Sequence, residues 1–313
     1  MASGALARPV EAAIPLAGLA QLGVSVLLLS SAWPLTKLAL LAGASPPMFA
    51  LGRAALSTVA AACVVAALGR ARLPGRADLP ALFAIGGLQI GLFFILVHEA
   101  VSWVPAGRTA ILANTTTVWI VPLSLIVLRE RIPRRRWVAA ALGLGGIVLL
   151  VGPWSIDWRA PGMVIGHAFL LAAALSWAIA IVVVRRSRPR LALLSLLPWC
   201  FLLATVMLLP MLLLLAPASA YAAPMGQGWI GWAALGFVGL LASPIGTWCI
   251  IEATAVLPAM VASVGFLATP AVGLGLSSLL LGEALTPSLL AGAALILSGV
   301  ACAAWPARPP AAA

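Results

Sequence analysis

Long apolar runs, each closed by a short polar or basic segment, follow one another along the 313-residue chain. An α-helix needs about 20 apolar residues to cross the hydrocarbon of a bilayer. None of these runs shows the ten-residue alternation of a membrane β-strand. Lipid offers no partner to a backbone N–H or C=O, so spanning segments must be helices or closed barrels. The pattern therefore predicts an all-α polytopic membrane protein. Ten transmembrane helices can be drawn, at 14–41, 47–69, 79–98, 105–128, 136–153, 163–184, 191–216, 228–250, 257–281 and 287–305. The first run is too long for a signal-peptide core of about 7–15 residues and reads as an uncleaved span.

Composition strengthens this reading. The chain is 64% hydrophobic and 8% charged, against about 25% charged in a soluble domain, with a mean hydropathy of +1.17. Its net charge of +11 is no nucleic-acid footprint, because the arginines collect in short loops and set orientation. With both termini cytoplasmic, Arg8, Arg70, Arg72, Arg76, Arg129, Arg131, Arg134, Arg135, Arg136, Arg185, Arg186, Arg188, Arg190 and Arg308 lie inside, and Arg159 lies outside. Moving the count by one span destroys that asymmetry, which supports an even total. Arginine and alanine usage suggests a GC-rich bacterial genome, hence the cell inner membrane.

Some chemistries are disfavoured. The four cysteines are isolated in apolar runs, without metal or redox spacing. Seven acidic residues form no paired carboxylates and no metal cluster. No phosphate-binding loop is present. No catalytic residue, metal or cofactor is expected. A membrane-embedded enzyme acting on lipids or isoprenoids is the main alternative to a carrier, and a channel or scaffold is a third.

Sliding the sequence on itself by 153 residues lays "HEAVSWVPAGRTA" on "IEATAVLPAMVAS". Glu99 meets Glu252, Pro105 meets Pro258, Thr116 meets Thr269, Glu130 meets Glu283, and "AALGLGG" meets "AALILSG". The chain thus divides into a tail (1–13), five spans (14–153), five more (163–305) and a second tail (306–313). Five is odd, so the second copy is inverted, an arrangement that places the substrate near the midplane between repeats.

"SAWPLTKLAL", "PPMFALGRAAL", the Pro-Ala pair after span three, "LRERI" and "LGEAL" resemble the EamA domain of the drug/metabolite transporter superfamily. Both halves carry the resemblance. It implies two inverted five-helix repeats around a central cavity, with spans five and ten packed outside. It further implies alternating-access transport, by export, of small metabolites such as amino acids, nearest to the bacterial exporter branch. The chain departs from the family at Thr117, which stands where span nine has Pro270; Pro122 follows five residues later. The helix break of span four is therefore expected nearer the cytoplasmic side.

Candidate residues follow from polarity at depth. Asn114, Thr115, Thr116 and Thr117 interrupt the apolar run of span four. Threonine hydroxyls can satisfy themselves on carbonyls one turn back; a carboxamide in hydrocarbon needs a partner. Successive residues rotate by about 100°, so about two of the four reach the centre. Thr269 and Pro270 match them in span nine. Trp33 and Trp177 hold similar places in spans one and six, flanking a substrate, gating it, or packing against neighbours.

Lys37, Arg53, His98, Glu99 and Arg108 fall toward the outer side. An intramembrane charge suggests function. In one reading Lys37 snorkels and Arg53 pairs with Glu99, the nearby carboxylate, or with a helix end. In the other, Lys37 and Arg53 draw a carboxylate-bearing solute outward. His98 and Glu99 close span three and are proton-coupling candidates, or a plain polar helix end. Glu130 and Glu283 read as partners of helix N-termini or arginines, and Glu252 as the partner of a loop arginine. The expected partners are a small-molecule substrate and the lipid bilayer.

Overall fold

The computed structural model describes residues 15–113, 115–127, 134–151, 160–215, 221–257, 265 and 268–304. Within them the secondary structure is helical, without strands, apart from one isolated bridge between Ala44 and Met225. Helix α1 is Leu16–Leu41 and α2 is Pro46–Ala67. Helix α3 joins Leu79–Leu82, a π-wound stretch Phe83–Leu92 and Phe93–Trp103. Then come α4 (Ala106–Ala113), α5 (Thr116–Val127), α6 (Arg134–Val151), α7 (Met163–Ser187) and α8 (Leu193–Leu215). Helix α9 joins Ile230–Gly236, a second π-wound stretch Phe237–Ala242 and Ser243–Val256. The last two are α10 (Ala268–Leu281) and α11 (Pro287–Ala304).

Among the described residues, six helices are long and apolar enough to cross a membrane: α1, α2, α3, α7, α8 and α9. The chain is a multi-pass membrane protein. Exposed Leu27, Val59, Val206, Leu213 and Leu279 give it the apolar exterior that lipid requires.

Two expected helix ends move. Span three was expected to close at His98–Glu99 and span eight at Ile250; α3 runs on to Trp103 and α9 to Val256. The residues that stop them are Val104 and Leu257, both extended and both before a proline. A following proline disfavours the helical conformation, whereas a single charge does not.

Helices approach through small residues, as they do where lipid removes the hydrophobic drive between helices. A Cβ on Gly86 would stand 2.8 Å from the Cys200 carbonyl oxygen, so α3 lies directly on α8. The main packing partners are α1 with α9 and α10, α2 with α8, α3 with α7 and α8, α4 with α10, and α6 with α11. The largest buried cluster runs from Ala50 and Phe93 through Leu170 and Leu196 to Leu274. It joins the two halves of the chain.

Candidate functional site

Three aromatic side chains converge where α1, α3 and α7 meet. Phe93 lies edge-on to Trp177 with ring centroids 4.8 Å apart, and edge-on to Trp33 at 6.4 Å. The sequence pairs Trp33 with Trp177; the structure adds Phe93 between them. Beside Trp33, the Ser30 hydroxyl donates to the Thr269 carbonyl at 2.8 Å. Thr269 and Pro270 are both buried in α10, and the Thr269 hydroxyl has no hydrogen-bond partner among the described residues. A Cβ on Gly273 would stand 3.4 Å from the Trp33 ring, so α10 closes against that tryptophan.

Span four shows the self-satisfying behaviour of threonine. The backbone N–H and hydroxyl of buried Thr115 both donate to the Leu112 carbonyl, at 3.1 and 2.7 Å. This i→i−3 turn stands between α4 and α5. The expected displacement of the break toward Pro122 is corrected: α5 passes through Pro122, and the interruption falls before Thr116. Thr116 is partly buried at the start of α5, and Thr117 follows it. Asn114 and Glu130 lie outside the described residues.

The charged groups divide by what holds them. Half-buried Lys37 donates to three carbonyls at the end of α3: Val101 at 2.6 Å, Ser102 at 3.2 Å and Val104 at 3.4 Å. A cation suits the negative end of a helix. Glu283 accepts the N–H groups of Ala106 and Gly107 at 2.6 and 2.8 Å, matching its expected role at a helix N-terminus. Its charge also reaches Lys37 and Arg108. Glu252 pairs with Arg70 at 3.0 Å, the loop-arginine partner expected for it.

Arg53 does not pair with Glu99. Its Nε donates to Ser243 Oγ at 2.9 Å, and its Cζ sits 4.2 Å from the Phe94 ring centroid. His98 is fully buried between Phe49 and Phe94. Its Nδ1 is 2.7 Å from the Phe94 carbonyl, and Nε2 has no partner among the described residues. Glu99 is only partly buried, and no hydrogen bond joins it to His98 among the described residues.

At the opposite ends of the helices, Asp78 accepts three backbone N–H groups. Arg190 and Leu191 donate to Oδ1 at 2.7 and 2.9 Å, and Gly75 donates to Oδ2 at 2.9 Å. These bonds, Leu191 first, hold its carboxyl below the usual range. They tie the loop before α3 to the loop before α8.

Phe93, Phe94, Ser243 and Ser30 are absent from the sequence-derived candidates. Ser243 alone carried a signal: a lone hydroxyl before a proline, deep in an apolar run. No group of three metal-ligating side chains occurs among the described residues.

A sequence profile of the EamA-like transporter family matches residues 16–152 and again residues 164–305. The chain is 26% identical over 261 residues to an uncharacterized transporter, YdfC, of Bacillus subtilis, covering 83% of this chain and 82% of that protein. It is 28% identical over 249 residues to protein PecM of Dickeya dadantii, with 79% and 80% covered. It is also 28% identical over 244 residues to a probable amino-acid metabolite efflux pump of Salmonella typhimurium, with 72% and 77% covered. A solved crystal structure superposes with a TM-score of 0.63 at 21% identity, over 92% of this chain and 96% of the other, a likeness of fold.

Proposed function

We propose, from the premise that the chain belongs to the EamA-like transporter family, that it exports small organic metabolites, amino acids or their derivatives among them, by alternating access. A transporter rather than an enzyme is what that family makes it. The amino-acid class rests on the name of the Salmonella typhimurium relative.

The architecture proposed for this activity is ten spans in two inverted five-helix repeats. Helices α4 and α5 together form the fourth span and α10 part of the ninth. Three observations support it. The family profile matches twice. The π-wound stretches, rare elsewhere, recur in spans three and eight, and the 153-residue shift lays the second within the first. The packing partners also survive exchange of the halves. Span one lies on span eight as span six lies on span three, and two on seven, four on nine and five on ten map onto themselves. Both termini are placed in the cytoplasm, and the membrane is the bacterial inner membrane.

The observation that carries the site is the meeting of Trp33, Phe93 and Trp177 on helices from both halves. Beside it lie Thr269 and Pro270, and the polar stretch Asn114 to Thr117 belongs to the same path. Substrate lies against these rings, and exchange of the two sides is rocking of one repeat on the other. Coupling to protons runs through Glu99, which has an unpaired carboxylate among the described residues, with buried His98 one residue before it. The experiment is efflux of amino acids and related metabolites from vesicles at matched expression of wild type, Trp33→Ala and Asn114→Ala. Both variants should lose most of the flux, and wild-type rates in both would remove the site from this position.

A further inference from the structure

Among the described residues, Lys37 and Arg70 already have partners. Lys37 is spent on three carbonyls, Arg70 on Glu252, and Glu283 is itself held by two backbone N–H groups. Arg53 has no carboxylate within ion-pair distance among the described residues. It sits in α2, seven residues beyond Pro46, about 10 Å along that helix. Its partner Ser243 is thirteen residues beyond Ile230 in α9, about 20 Å along. The guanidinium therefore points toward the interior of the bundle.

Of its five donors, one is taken by Ser243. The Phe94 ring supports its face, and its remaining donors have no partner among the described residues. A guanidinium edge matches a carboxylate with two parallel hydrogen bonds. Against the same Phe94 ring stands His98, 5.4 Å away between centroids, fully buried and with Nε2 unpartnered among the described residues. Two groups with unused hydrogen-bonding capacity thus share one ring. That ring lies 6.5 Å from Phe93, which joins Trp33 and Trp177. Phe94, which supports Arg53, and Phe93, which meets both tryptophans, are consecutive residues of α3.

We propose that Arg53, oriented by Ser243 and Phe94, binds the carboxylate of a small monocarboxylate whose apolar body lies against Trp33, Phe93 and Trp177. This rests on the carrier reading above and names the chemical class it carries. It also separates two residues that the sequence left equivalent: Arg53 recognises the solute, and Lys37 holds a helix end.

The test uses purified full-length protein in lipid nanodiscs and paired probes: phenylacetate with phenylacetamide, phenylalanine with phenylalaninamide, and butyrate with butyramide. Binding is read by tryptophan fluorescence and by ligand-induced thermal stabilisation. Wild type is expected to bind at least one acid about tenfold or more tightly than its amide. Arg53→Met should erase that preference by weakening the acid far more than the amide, and Arg53→Lys should restore part of it. Wild type that prefers no acid overturns the proposal, even if Arg53→Met fails to fold. So does a folded Arg53→Met that keeps the preference, or chloride and phosphate displacing the acids as well as the acids displace one another. Flux in proteoliposomes separates the two readings: acids and amides carried equally leave the carrier standing and remove the anchor, whereas flux untouched by Trp33→Ala counts against the carrier site itself.

Discussion

Trp177 from the second half of the chain presents its ring edge-on to Phe93 from the first, 4.8 Å between centroids. Edge-to-face pairs of this kind contribute about 1 kcal/mol beyond the area they cover. Trp177→Ala gives up both that pairing and the ring's buried area, so it is expected to lower stability by roughly 2–4 kcal/mol and to slow efflux further than that loss explains. Trp177→Phe keeps a ring against Phe93 and should keep most of the flux. Efflux rates set beside unfolding temperatures of the two variants decide this; wild-type flux in Trp177→Ala speaks against an aromatic wall.

The junction between α3 and α4 is gripped from both sides, with Lys37 on the last carbonyls of α3 and Glu283 on the first N–H groups of α4. Removing a charged partner from such groups costs about 1–3 kcal/mol. Glu283→Ala should destabilise by that amount, and Glu283→Gln, which retains one acceptor oxygen, by roughly half of it. Lys37→Met should fall in the same range. All three should leave any acid-over-amide preference intact, in contrast to Arg53→Met. Calorimetric unfolding in detergent, paired with probe titration, measures the two effects separately.

The positions of the six helices able to cross a membrane among the described residues were legible because continuous apolar runs have few alternatives in lipid. Their ends at α3 and α9 were misread because a charge inside a run resembles an interface. His98 and Glu252 instead sit inside their helices, one buried against aromatic rings and the other held by Arg70. The prolines at 105 and 258 carried the better signal. Trp33 and Trp177 could be paired from the repeat. Phe93 and Phe94 could not, since a phenylalanine in a membrane helix is ordinary until its neighbours are known. The contrast between Lys37 and Arg53 was equally hidden, because it depends on which carbonyls and rings each side chain reaches.

Helices α6 and α11 meet at Gly146. A Cβ there would stand 2.6 Å from Ile296 Cγ1 and 2.7 Å from the Gly292 carbonyl oxygen. The carbonyl belongs to a helix backbone and cannot turn aside, so Gly146→Ala should force the pair apart at a cost of about 1–3 kcal/mol. The adjacent Gly145→Ala meets only Leu295 Cδ1 at 3.8 Å and serves as the control, with little change expected. Thermal unfolding of the two variants side by side tests this; equal stabilities would mean that α6 and α11 do not close on each other here.

Asp78 supplies a pH dependence whose direction can be worked out. Three backbone N–H groups, that of Leu191 foremost, lower its folded-state pKa below the ordinary 3.8. A carboxyl depressed in this way adds stability that is fully present above its unfolded value and is lost as pH falls through the folded one. The protein should thus show no contribution from Asp78 to changes in stability between pH 6 and pH 8, and a loss setting in below about pH 4. Asp78→Asn keeps one acceptor oxygen for Arg190 and Leu191 but presents an amide NH₂ or nothing to the Gly75 N–H. It should be less stable than wild type at neutral pH, and the gap should narrow as the medium is acidified below about pH 4. Unfolding temperatures of both proteins across that range give the answer. A gap that stays constant down to the lowest pH would mean that the carboxylate's charge contributes nothing to tying the two loops together.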